Sequence, residues 1–100
     1  MNGVEFDGFK NGVLLEAKGP GYRSFFEASG KPVYWYENSG KFRELMTQAA
    51  NQSRTARLLG LPLKWHVADE EVAVFLRRHF TRAGLNNIEV VYTRMLPSPP

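Results

Sequence analysis

One hundred residues with a net charge of +3, of which 43% are hydrophobic and 23% charged, make one domain with a single core and no room for two. The chain has no cysteine, which excludes disulfides, thiolate chemistry and cysteine-based zinc sites. Its mild basicity suits a polyanionic partner without demanding one, no apolar run approaches transmembrane length, and Met1-Asn2-Gly3 begins no signal peptide.

The first element starts almost at Met1. From Glu5 to Gly19, apolar and polar residues alternate on either side of Asn11-Gly12, two residues that tolerate the positive φ of a type I′ turn. A two-residue loop there pairs Lys10 with Val13, and sets Asp7 opposite Glu16 and Glu5 opposite Lys18. Glu5, Asp7, Glu16 and Lys18 then share one face with Phe9 and Leu14, while Val4, Phe6, Val13, Leu15 and Ala17 share the other. Like charges directly opposite on a sheet repel. A divalent cation between Asp7 and Glu16 would remove the conflict; the alternative is a polar outer face on which Lys18 screens both acids. A three-residue loop with a bulge would instead shift the register by one and send Asp7 and Glu16 to opposite faces.

Gly19-Pro20-Gly21 forces a turn, and Tyr22–Ala28 fits a short helical turn. The stretch from Gly19 to Gly40 is irregular and aromatic, with Tyr22, Phe25, Phe26, Tyr34, Trp35 and Tyr36. Such rings can stack on nucleobases, and Arg23 and Lys31 can meet phosphate, but most of the six are expected to pack the segment onto the core. A helix follows over Lys41–Leu59, capped by Asn38 or Ser39 and ended by Gly60 with Pro62. Phe42, Leu45, Met46, Ala49, Ser53 and Ala56 form its narrow apolar stripe, Gln48 and Gln52 sit together on a flank, and Arg54 and Arg57 lie further round. Leu63–Ala68 alternates as a strand, with Trp65 on one face and His66 on the other. Asp69 caps a second helix that Gly84 ends, with Arg77, Arg78 and Arg82 outward and His79 on its apolar flank, and Ile88–Thr93 is a last strand. Pro97-Ser98-Pro99-Pro100 reads as an extended tail, leaving residues 1–96 as the domain. A strand-helix-strand unit implies a parallel pair with a right-handed crossover, hence an α/β sandwich with a mixed sheet.

The chemistry-bearing pattern is Asp7 and then, after eight residues, Glu16-Ala17-Lys18. Cleaving a phosphodiester with a metal needs carboxylates to hold the cation and a group to position or deprotonate water. Asp7 and Glu16 can share a cation, the Ala17 carbonyl can add a ligand, and Lys18 returns to the same face, where a nearby cation disfavours its protonated form.

Asp, spacer, Glu-X-Lys on a hairpin resembles the PD-(D/E)XK nuclease superfamily. With Glu5-Phe6-Asp7-Gly8-Phe9, Leu14 to Tyr22, Gln48-Ala49-Ala50-Asn51-Gln52 and Trp65-His66-Val67-Ala68 in this order, the chain resembles the restriction-endonuclease-fold toxin 5 family from about Glu5 to about Thr93. The resemblance implies a restriction-endonuclease-like α/β/α sandwich and a nuclease toxin domain at the C-terminus of a longer bacterial effector. Asp7 and Glu16 would hold Mg²⁺ or Mn²⁺ with the Ala17 carbonyl, Lys18 would be the catalytic lysine and Gln48 the glutamine reaching the site from a helix. Glu5, His66 and Gln52 are accessory candidates, and Tyr22, Arg23, Arg54 and Arg57 are candidates for contacting nucleic acid. The implied substrate is DNA in preference to RNA, and the implied partner is an immunity protein, expected to be acidic from this domain's charge. No membrane binding is expected, and delivery would run from the producing bacterium's cytoplasm through a secretion system into the target's. Two departures stand out: Phe6 occupies the proline position, and no helix precedes the first strand. An RNase using the same site, or a non-catalytic module binding nucleic acid or protein, are the other readings.

Overall fold

Residues 3–94 are described by a computed structural model of the chain. Asn11 (φ 53°) and Gly12 (φ 79°) both take the left-handed conformation that a two-residue loop requires, so Lys10 pairs with Val13, Phe9 with Leu14 and Gly8 with Leu15. This is the expected register, without the bulge. The first strand, β1 (Gly8–Lys10), is shorter than expected because the chain bends at Asp7 and leaves the ladder. The expected pairings of Asp7 with Glu16 and of Glu5 with Lys18 therefore do not form in the ladder. β2 (Val13–Lys18) continues past the end of β1.

After a 3₁₀ turn at Tyr22–Phe25 comes α1 (Tyr34–Asn38), a five-residue helix that the sequence does not announce. The next helix, α2, spans the expected Lys41–Leu59. Asn38 closes α1, and Gly40 occupies the N-cap of α2 with no side-chain bond. Of the two expected caps Ser39 does serve the start of α2, accepting the Lys41 N–H at 3.3 Å while it donates its hydroxyl to the Tyr36 carbonyl at 2.9 Å. β3 (Leu63–Val67), α3 (Glu70–Arg82) and β4 (Ile88–Tyr92) complete the described fold. Asp69 caps α3 as expected, accepting the Val72 N–H at 3.0 Å. The expected tail at 97–100 lies outside the described residues.

The four strands lie in the order β1-β2-β3-β4, antiparallel between β1 and β2 and parallel across the other two junctions. This is the mixed α/β architecture that the sequence implies. Both parallel crossovers step the same way along the sheet, and right-handed connections then place α2 and α3 on the same face. Trp65 shows the result, since its indole meets Gln52 of α2 and its ring packs edge-on against Phe80 of α3, 5.0 Å between centroids. The core lies between sheet and helices, built from Leu14, Leu63, Trp65 and Val67 against Leu45, Ala49, Val72, Leu76 and Phe80. Leu15, Lys64, His66 and Val91 line the opposite face and remain partly exposed. Among the described residues no helix covers that face, so the second helical layer of the sandwich is not found there.

The aromatic segment fills the space between α2 and α3. Phe26 and Tyr36 are buried, Tyr22 and Phe25 half-buried, and Tyr34 and Trp35 exposed. Phe26 touches the rings of Phe42 and Phe75, and His79 packs against Phe26 and Phe42 while bonding the Gly30 carbonyl at 2.8 Å, which makes it a core histidine.

Candidate active site

β2 alternates, so Leu14, Glu16 and Lys18 all project toward the helices, and the parallel register sets Trp65 of β3 beside Glu16. α2 crosses above them with Gln48 and Gln52 one turn apart, both directed at Glu16. Gln52 Nε2 donates to Glu16 Oε1 at 2.9 Å, and Gln48 Nε2 donates to Glu16 Oε2 at 2.9 Å. Lys18 Nζ lies 3.0 Å from the same Oε2 and donates to Gln48 Oε1 at 2.8 Å. The Trp65 indole donates to Gln52 Oε1 at 2.8 Å, and Gln52 Nε2 also reaches the Glu5 carbonyl at 3.0 Å.

Indole and ammonium nitrogens can only donate. Each therefore fixes the oxygen end of its glutamine and turns the NH₂ end toward Glu16. Glu16 is 4% exposed, a depth at which an unpaired carboxylate would be very costly, and it is satisfied on both oxygens. Lys18 balances its charge and sits 5.1 Å from the centre of the Trp65 ring. The polar outer face considered from the sequence is thus excluded: the face bearing Glu16 is the buried one, and Leu15 and Ala17 line the open one.

Asp7 stands apart from this network. Had the ladder continued, the Ala17 N–H would bond the carbonyl of Phe6. Instead Asp7 Oδ2 accepts it at 2.8 Å, so the carboxylate completes the sheet edge where the strand has left it. Asp7 is exposed. Glu16 accepts three hydrogen bonds of the four or so its oxygens can take, and Asp7 accepts one. Acceptor positions remain on both, and a hard ion such as magnesium is commonly held by one or two carboxylates together with substrate oxygens. In kind the donor set fits. Among the described residues no three or more histidine or acidic side chains gather closely enough to hold a metal ion by themselves.

The other sequence candidates separate clearly. Glu5 offers its backbone carbonyl to Gln52, and its own side chain is exposed. Pairing of Ala17 with His66 puts His66 on the open face, away from Glu16, where its Nδ1 meets Thr93 Oγ1 at 2.8 Å. Arg23 turns to α3, bonding the Phe26 carbonyl at 2.8 Å and Glu71 at 3.2 Å. Arg54 bonds Asn51 and Arg57 reaches the Gly84 carbonyl, so neither joins the bonds around Glu16. Trp65 joins the site unannounced; the signal was that a buried indole N–H needs an acceptor, which Gln52 supplies.

A cleft of about 520 Å³ opens beside Lys18 and Gln48, lined also by Tyr22, Phe25, Tyr36, Lys41 and Glu44. Burial pushes the Tyr36 phenol up to about 12, with Tyr22 and Glu44 adding to the shift.

A sequence model of the family described as restriction endonuclease fold toxin 5 matches residues 1–70, a stretch that holds every residue of this network. A comparison with curated proteins gives no match.

Proposed function

Because the chain belongs to the restriction endonuclease fold toxin 5 family, we propose that it is a metal-dependent nuclease that hydrolyses phosphodiester bonds, DNA in preference to RNA, in a competing bacterium. The observation that carries this reading is the convergence of Glu16, Lys18 and Gln48 on two adjacent elements, with Lys18 opening onto a cleft.

Asp7 and Glu16 are the residues that would hold magnesium or manganese, with the Ala17 carbonyl beside them; the ion supplies a Lewis acid at the scissile phosphate. Lys18 positions the attacking water, and it takes that water's proton at Nζ only in its neutral amine form. Gln48 holds that nitrogen in place by accepting one of its bonds, and it ties Lys18 to Glu16 through its own NH₂ group. Gln52 and Trp65 hold Glu16 from the other side. Such a toxin would be made in the bacterial cytoplasm as part of a longer effector, delivered by a secretion system into the target cell, and restrained in the producer by an acidic immunity protein.

The purified protein should cut nucleic acid with added Mg²⁺ or Mn²⁺ and stop in EDTA. Glu16→Gln, which keeps the shape and removes the charge, and Lys18→Ala should each slow cleavage by about a hundredfold or more, with unchanged circular dichroism. Full activity in EDTA, or in both variants, would overturn the reading.

A further inference from the structure

The cleft beside Lys18 carries more chemistry than the proposed reaction uses. Lys41 and Glu44, one turn apart at the start of α2, line it opposite the aromatic segment. Neither makes an ion pair or a side-chain hydrogen bond among the described residues. Phe25 and Tyr36 stack with centroids 4.5 Å apart, and Tyr22 meets Phe25 edge-on at 5.2 Å, so the half-buried Tyr22 and Phe25 form an aromatic wall braced by the buried Tyr36. The cleft's 520 Å³ lies within the range of about 300–1,000 Å³ usual for small-molecule sites.

We infer that this cleft binds one unstacked nucleotide of the substrate, next to the cleaved bond, and that it prefers guanine. The inference rests on the nuclease reading and deepens it. Aromatic walls hold bases of any sequence by stacking, and Lys41 supplies a point charge for an adjoining phosphate. Selection falls to Glu44. Its carboxylate only accepts, through two oxygens, and guanine alone presents two adjacent N–H donors, N1–H and the N2 amino group, on its Watson–Crick edge. A base stacked in a duplex cannot reach such a cleft, so the bound nucleotide comes from a single strand or is turned out of the helix.

The test is titration of the intact protein, free of divalent metal, with guanosine, adenosine, cytidine and uridine monophosphates, followed by tyrosine and tryptophan fluorescence. Guanosine monophosphate should bind about tenfold more tightly than the others, the discrimination expected of one bidentate pair. Glu44→Gln should erase that preference, and Glu37→Gln, on α1 outside the cleft, should keep it. Equal affinities, no binding, or a guanine preference intact in Glu44→Gln would overturn the inference. Cleavage mapping separates the two readings: cutting without guanine bias in binding or position defeats this inference alone. Guanine binding of this kind in a protein that cuts nothing defeats the nuclease reading alone.

Discussion

Glu16 is the residue whose surroundings decide most about this protein. Two glutamines and a lysine satisfy it, and the Trp65 indole locks one of those glutamines. Gln52 is fully buried and makes three of the bonds that hold the arrangement together, to Glu16, to the Glu5 carbonyl and from Trp65. Gln52→Leu keeps the volume but orphans those partners, at about 1–3 kcal/mol for each buried group left unpaired. A loss of at least about 2 kcal/mol is expected in urea unfolding; adding Trp65→Phe, which removes one orphaned donor, should recover part of it. A loss below about 0.5 kcal/mol would mean that the network contributes little. Glu16, Lys18, Gln48 and Gln52 were all legible as candidates, because strand alternation and helical spacing put each pair on one face. Trp65 and the direction of that face were not. Val13, Leu15 and Ala17 on one face and Phe9 and Leu14 on the other left both faces open as the inner one, and only the helices' choice of side decided it.

Among the elements, the hairpin and the two long helices follow from local chemistry. Asn11-Gly12 sets the register, and Gly60 and Asp69 bound the helices as their conformations require. The short α1 was not legible, since five residues are too few for a periodic signal and its one buried ring, Tyr36, is paid for by packing against Phe25, Phe26 and Phe42. The same packing gives Gly30 a role larger than that of a loop residue. It holds φ at 90°, a Cβ there would lie 2.8 Å from the Phe75 ring, and its carbonyl takes the bond from His79. Gly30→Ala should therefore combine backbone strain with a clash against α3 and lower stability by about 1–3 kcal/mol. Thermal unfolding measures this directly, and an unchanged midpoint would show that the loop is free to move away.

At the scale of the whole molecule, the sheet carries both long helices on one face and leaves Leu15, Lys64, His66 and Val91 partly exposed on the other. His66 falls on that open face because parallel pairing aligns it with Ala17, which removes it from the chemistry without any change in its own strand. The net charge of +3 bears on partners rather than on fold. The acidic immunity protein proposed above would be steered to this domain by charge, so its association rate should fall by about tenfold or more between low and high salt. Stopped-flow mixing across a salt series checks this, and a salt-independent rate would point to an apolar interface.

The sequence by itself determined the elements that depend on neighbours in the chain: the turn at Asn11-Gly12, the span of α2, the cap at Asp69, and the shared strand face of Glu16 and Lys18 two residues on. It also named Asp7, but not what Asp7 does there, which is to replace a missing carbonyl at the sheet edge. Only the tertiary structure decided which face of β2 is buried, that Trp65 closes the glutamine network and that His66 is outside it. Those facts depend on how separate strands register and on which side the crossovers run, and such contacts join residues far apart in the chain, where alternation and capping carry no information.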